Sequence, residues 1–311
     1  MRNKYICGGV IILLTFLVNT QAPAQKYSKS WTDINYAGSS ESWHNLDIYL
    51  PAIEKEAYPV VIYIYGSAWY ANNAKGADME TIGKALLDAG FAVVTPNHRA
   101  STDATFPAQV HDIKAVIRYV RANADKHRLD TAFVGISGSS SGGHLAAMAG
   151  TTRFTEQFTV GNETVDIEGS LGDFTHASSS VDAVVNWFGP VHFPVTNTCG
   201  SEIDRDAANS PESTLIGESI LDNEDLGALI SPITYIDAGD PPFLNIHGDE
   251  DRIVPLCQSE LLHEALVESG VSSRLVIAEG GGHGPGVHVD EYLEMMVDFF
   301  LKQATKQGGS K

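Results

Sequence analysis

The sequence predicts a single α/β domain built on a doubly wound, mostly parallel sheet. Several of its apolar runs are continuous rather than alternating, which is how strands covered on both faces read. Stretches with helical apolar spacing fall between those runs, the order expected of strand–helix–strand units with right-handed crossovers. No internal repeat, low-complexity tract or interdomain linker interrupts the 311 residues.

Along the chain, Arg2 and Lys4 precede an apolar run from Ile6 to Val18, and Ala22-Pro23-Ala24 offers small residues for cleavage. This reads as a secretory signal peptide over residues 1–24, with the mature protein starting near Gln25 and released to the periplasm or the exterior. Cys7 lies inside the apolar run without a lipobox, so a lipoprotein is not expected. Leu46 to Leu50 alternates and stops at Pro51, as an antiparallel edge strand would. Val60–Tyr65, Phe91–Thr95, Thr131–Ile136, Val181–Phe188, Phe243–Ile246 and Arg274–Ala278 are the predicted inner strands. Helices are predicted over Met79–Ala89, Pro107–Ala124, Gly143–Ala149, Ser259–Glu268 and Asp290–Gln303. Two segments break the alternation and are expected over the carboxyl edge of the sheet. One is polar, Thr151 to Ser180; the other, residues 191–232, carries Pro194, Cys199 and Pro211 and reads as a cap insertion.

Composition narrows the partners. Twenty basic residues face 39 acidic ones, a net charge of −19. Without residues 1–24 the balance is 18 against 39. Nucleic acid and anionic membrane surfaces are therefore not expected partners, because both demand a basic face. A neutral or cationic small molecule, or a neutral glycan, suits the field better. Signal cleavage leaves Cys199 and Cys257 in an oxidising compartment, and one disulfide is expected between them. Closing a loop of that length contributes on the order of 4 kcal/mol in the chain-entropy view.

The chemistry concentrates at Gly138-Ser139-Ser140-Ser141-Gly142, a G-x-S-x-G pattern after an apolar strand and before a helix. A sharp strand-to-helix turn strains the central residue and crowds its neighbours two positions away, which favours glycine there. Ser140 is thus the nucleophile candidate; Ser137, Ser139 and Ser141 lack glycine on both sides. A hydroxyl needs a base to take its proton and an acid to orient that base. Downstream, Asp251 is the preferred acid, with Asp249 as the alternative, each just past a strand. His283, in a glycine loop after the last predicted strand, is the base candidate, and His288 the fallback. An oxyanion needs two backbone N–H donors. Ser141 is one candidate, and Ser67 or Ala68, in the turn Tyr65-Gly66-Ser67-Ala68-Trp69, is the other. Trp69 and Trp187 are candidates to line an acyl pocket. Asp112 is expected to pair with Arg99, and His144 to be a packed, hydrogen-bonded residue. The spacing around His247 is not that of metal ligands, so no metal and no cofactor is expected.

These motifs, together with Val94 to Arg99, Phe106 to Asp112, Asp240 to Pro255 and Gly282-His283-Gly284, occur in an order that resembles the secreted bacterial α/β-hydrolase esterases. The resemblance is to the feruloyl and acetyl-xylan esterase-like group, and runs from about Asn45 to the C-terminal helix. It implies the α/β-hydrolase fold, with Ser140, Asp251 and His283 as triad. It also implies hydrolysis of carboxylic esters, often acyl groups on plant cell-wall polysaccharides. One departure is visible: that group commonly has H-G-G-A-W where this chain has Tyr65 and Ser67 at the first and third positions. That motivates an alternative, a degenerate hydrolase acting as a carbohydrate-binding or interaction protein. A prolyl-oligopeptidase-like serine peptidase is a second alternative, although the chain shows no large gating domain. A long-chain lipase is disfavoured because the cap has no strongly apolar helix.

Overall fold

Strands without a polar face must be covered on both sides, and that requirement sets the layers of this molecule. The computed structural model describes residues 27–195 and 199–308. The predicted signal segment, residues 1–24, lies outside the described residues. The strands are β1 (Tyr27–Asn35), β2 (Asn45–Pro51), β3 (Tyr58–Ile64), β4 (Ala92–Pro96), β5 (Leu129–Ser139), β6 (Gln157–Val160), β7 (Glu163–Asp166), β8 (Ala183–Trp187), β9 (Phe243–Gly248) and β10 (Ser273–Ala278). Eight of them form one sheet in the order β1-β2-β4-β3-β5-β8-β9-β10, while β6 and β7 pair separately as a hairpin. From β4 to β10 the pairing is parallel; β1 and β2 join antiparallel at one side.

The helices are α1 (Lys84–Asp88), α2 (Ala108–Ala122), α3 (Ala124–His127), α4 (Ser141–Thr151), α5 (Pro211–Ile216), α6 (Glu224–Leu229), α7 (Cys257–Glu268) and α8 (Asp290–Gly308). Two apolar clusters show the winding. Val110, Ile113 and Ile117 of α2, Leu145 and Met148 of α4 and Leu262 of α7 pack with Ile62, Val134 and Val184 on one face. Leu86 of α1 and Leu293, Met296 and Phe300 of α8 pack with Val61, Val93 and Val185 on the other. Alternate residues of one strand thus enter opposite cores, which is why these strands have no polar face.

Three expectations are corrected. Leu46–Leu50 is not an edge strand: β2 pairs with β4 on one side and with β1 on the other. The polar sequence of β1 hides it: its register is bulged and none of its residues is fully buried, so backbone pairing joins partial packing of Tyr27, Trp31 and Ile34 in holding it. Met79–Ala89 opens with a π-helical turn over Met79–Gly83 before α1 begins. Thr151–Ser180 does not lie over the carboxyl edge as one piece: its β6–β7 hairpin meets the cap segment, where the Asn162 N–H donates to Asp225 of α6. Other parts of it run along α2, where Lys114 donates to the Thr152 carbonyl, Arg118 to the Gly169 and Leu171 carbonyls, and Arg121 to the Ser180 carbonyl. Residues 191–232, by contrast, do bring Ile203, Arg205 and Pro211 to the edge where Ser140 sits. Cys199 and Cys257 are disulfide-bonded, as expected.

Candidate active site

Ser140 stands between the end of β5 and the start of α4 with φ 55° and ψ −124°, a conformation an L-residue adopts only when its surroundings enforce it. The enforcement is steric. A Cβ on Gly142 would lie 2.2 Å from the Ile64 carbonyl oxygen, and one on Gly66 would lie 2.6 Å from that of Ser139. The elbow therefore fits against β3 and the turn after it only because these two residues are glycine. The Ser140 N–H donates to the Trp187 carbonyl at 2.9 Å, which ties the turn to β8.

From that position Ser140 Oγ lies 2.9 Å from His283 Nε2, and His283 Nδ1 lies 2.7 Å from Asp251 Oδ2. Asp251 Oδ1 accepts from the N–H groups of Ile253 and Val254, both at 2.9 Å. Burial opposes the Asp251 charge, yet the hydrogen bonds from His247 and His283 outweigh it and hold the carboxyl well below the usual carboxylate range. An ionised Asp251 fixes the proton on His283 Nδ1 and leaves Nε2 to receive one from the serine. The ring of Phe188 packs edge-on against His283, with centroids 4.8 Å apart.

The competing residues have other partners. Ser137 Oγ accepts from Trp187 Nε1, Ser139 Oγ lies 2.9 Å from Tyr63 Oη and 3.2 Å from His288 Nε2, and Ser141 Oγ accepts from the Ser67 N–H at 2.8 Å. His288 thus faces the residue before Ser140. Asp249 Oδ1 accepts from the Gly280 N–H and serves the turn rather than an imidazole. Asp112 pairs with Arg99 at 2.6 Å. His144 accepts from Trp69 Nε1 at Nδ1, which leaves Nε2 to donate to the Ile230 carbonyl; burial pushes its pKa down to about 4 and keeps it neutral.

Two site expectations change. Trp187 is fully buried, is absent from the cavity beside Ser140, and donates to Ser137 instead of lining an acyl pocket. Ser67 spends its N–H on Ser141, so the donors that border the cavity are those of Ala68 and Ser141. The left-handed backbone of this turn falls on Ala68 and Trp69, with φ 51° and 60°, and Ser67 lies outside that region. A serine at position 67 is accordingly accommodated without strain. Tyr65 stacks on His98, with ring centroids 4.9 Å apart, and its hydroxyl donates to the Ala71 carbonyl, which holds the turn from beneath.

Beside Ser140 lies a cavity of about 40 Å³, lined by Ala68, Trp69 and Ser141 and closed by Pro190, Ile203, Arg205, Pro211, Ile253 and Val254. Sequence reading did not single out the closing residues. Ile253 and Val254 follow Asp251 within three positions, and that proximity was the available signal. Ile203 and Arg205 sit in the cap, far from every motif, and no sequence signal marks them.

A strained serine at the carboxyl edge of a parallel sheet, hydrogen-bonded to an imidazole that is bonded to a buried carboxylate, is the arrangement of an α/β-hydrolase fold with a serine triad. The chain belongs to the BD-FAE family, whose model matches residues 46–266. Among solved structures it is similar to a truncated carbohydrate esterase from gut microbiota, at 50% identity and a TM-score of 0.87, over 90% of this chain and 98% of that one. It is also similar to a bifunctional GH43-CE protein of Bacteroides eggerthii, at 51% identity and a TM-score of 0.85, over 88% of this chain and 35% of that one. The esterase LipQ of Mycobacterium tuberculosis is 28% identical over 83% of this chain and 57% of its own length. The chain spans about half the length of the curated relatives it matches.

Proposed function

We propose that the protein removes short acyl groups, acetyl above all, from carbohydrate esters by serine acyl transfer. Ser140 Oγ attacks the ester carbonyl while His283 Nε2 takes its proton, and Asp251 stabilises the imidazolium that forms. The negative oxygen is received by the N–H groups of Ala68 and Ser141. His283 then hands its proton to the departing sugar oxygen, and a water molecule, activated by the same imidazole, releases the acid and restores Ser140.

The observation that carries the acyl preference is the size of the cavity. A cavity of about 40 Å³ has room for a few water-sized spheres, roughly the bulk of an acetyl group, and this supports a short acyl chain. The carbohydrate alcohol is supported by the two carbohydrate-esterase neighbours at about half identity. The disulfide supports export from the cytoplasm, as the N-terminal segment suggests. Initial rates on aryl acetate, butyrate and ferulate esters and on acetylated xylan test the reading. Acetyl esters should lead, and Ser140→Ala should lose at least about 10⁴-fold while keeping the wild-type melting curve. Comparable turnover of ferulate would remove the acyl assignment, and a variant rate within about tenfold of the wild type would remove Ser140.

A further inference from the structure

We propose that the Cys199–Cys257 disulfide sets the acyl specificity of this site by pinning a strap, residues 199–205, across the mouth of the cavity beside Ser140. The inference rests on that cavity being the acyl pocket.

Residues 200–206 form neither helix nor strand. They lie along the loop 251–254, which carries both Asp251 and two walls of the cavity. The Glu202 N–H donates to the Arg252 carbonyl at 2.8 Å, and Ser201 Oγ and Arg205 Nη2 both donate to the Ile253 carbonyl. Ile203 and Arg205 line the cavity beside Ser140 together with Ile253 and Val254. The two ends of the strap are anchored differently. At its C-terminal end the buried Arg205–Glu212 ion pair fixes the strap to α5. At the N-terminal end the ion pair Glu202–Arg252 is exposed on both sides, and such pairs contribute little. The covalent bond to Cys257, the first residue of α7, is the firm anchor there. Both cysteines border an open cleft of about 520 Å³ with Asp249, Arg252 and Glu260, so a reductant in solution reaches them.

Freeing the N-terminal end lets Ile203 move away from Ser140, and the pocket then admits acyl chains longer than acetyl. Hydrophobic pockets discriminate one methylene by roughly 10- to 200-fold, so the acetate-over-butyrate ratio of kcat/KM should fall by at least about tenfold.

The experiment measures that ratio with aryl esters on four samples of the full-length mature chain: oxidised protein, the same protein reduced with a phosphine and its free thiols counted, the double variant Cys199→Ser/Cys257→Ser, and Ile203→Ala with its disulfide intact. A lowered ratio in the last three, and its return on reoxidation of the second, is the expected result. A ratio within twofold of the oxidised protein, once both thiols are counted free, overturns the proposal. Should the double variant not fold, the reduced wild-type sample decides alone. Oxidised protein that cleaves butyrate as fast as acetate would refute the small-acyl reading instead, and the strap is then judged on whether reduction moves the ratio.

Discussion

At the scale of single residues, the hydroxyls and imidazoles around this site each have defined hydrogen-bond partners. Four serines occur within residues 137–141, and only Ser140 faces His283; the other three are engaged by Trp187, by Tyr63 and His288, and by the Ser67 N–H. His144 shows the same economy and has a measurable consequence. Its pKa is about 4 in the folded protein against 6.5 for the free side chain, because burial disfavours the cation. Between those two values the unfolded chain binds a proton that the folded protein refuses, so stability falls as pH falls from 6.5 toward 4. The full term is about 3 kcal/mol. His144→Gln keeps an acceptor for Trp69 and a donor for the Ile230 carbonyl but cannot titrate. Its urea midpoint should therefore drop less than that of the wild type between pH 7 and pH 4.5, and parallel losses would contradict the assignment.

At the scale of elements, the turn between β5 and α4 depends on how closely β3 approaches it. Gly142→Ala would place a methyl 2.2 Å from the Ile64 carbonyl oxygen, with backbone on both sides and no flexible side chain to give way. The expected cost is about 1–3 kcal/mol or more, read as a lower melting temperature together with a loss of esterase rate, since Ser140 cannot be displaced without leaving His283. Unchanged melting would show that the turn has slack the structure does not suggest. Most elements around this turn were legible: β3, β4, β5, β8, β9 and β10 each contain a run of mostly apolar residues, and α2 and α8 carry their apolar residues at helical spacing. The exceptions share a cause. β1 and the β6–β7 hairpin are short of apolar residues, and they exist because a neighbouring strand offers backbone partners, which no local pattern records.

For the whole molecule, the segment between α4 and β8 is attached to the domain both by apolar contact, through Val165 and Ile167, and by buried charge. Lys114 and Arg118, both buried on α2, converge on the Glu168 carboxylate at 2.9 and 2.5 Å. Replacing Glu168 by Gln would leave two buried cations without their counter-ion. That should cost about 3–5 kcal/mol, measurable by chemical denaturation, and would loosen the 151–180 segment without touching the serine site. A loss below about 1 kcal/mol would mean that the carbonyls of Thr152, Gly169 and Leu171, which the same cations reach, are sufficient partners by themselves.

The sequence by itself determined the parallel sheet and singled out Ser140, Asp251 and His283, which the fold joins in one hydrogen-bonded series, because these rest on local patterns: apolar periodicity, glycines two positions from a strained serine, and polar residues just past strand ends. Tertiary structure alone decided that Trp187 donates to Ser137, that the Ser67 N–H is occupied by Ser141, and that Ala68, Ile203 and Arg205 line the cavity beside Ser140. Each of these depends on which atoms from distant parts of the chain come within a few ångströms of one another, and that proximity is created only when the cap folds back and its disulfide draws it against the loop of Asp251.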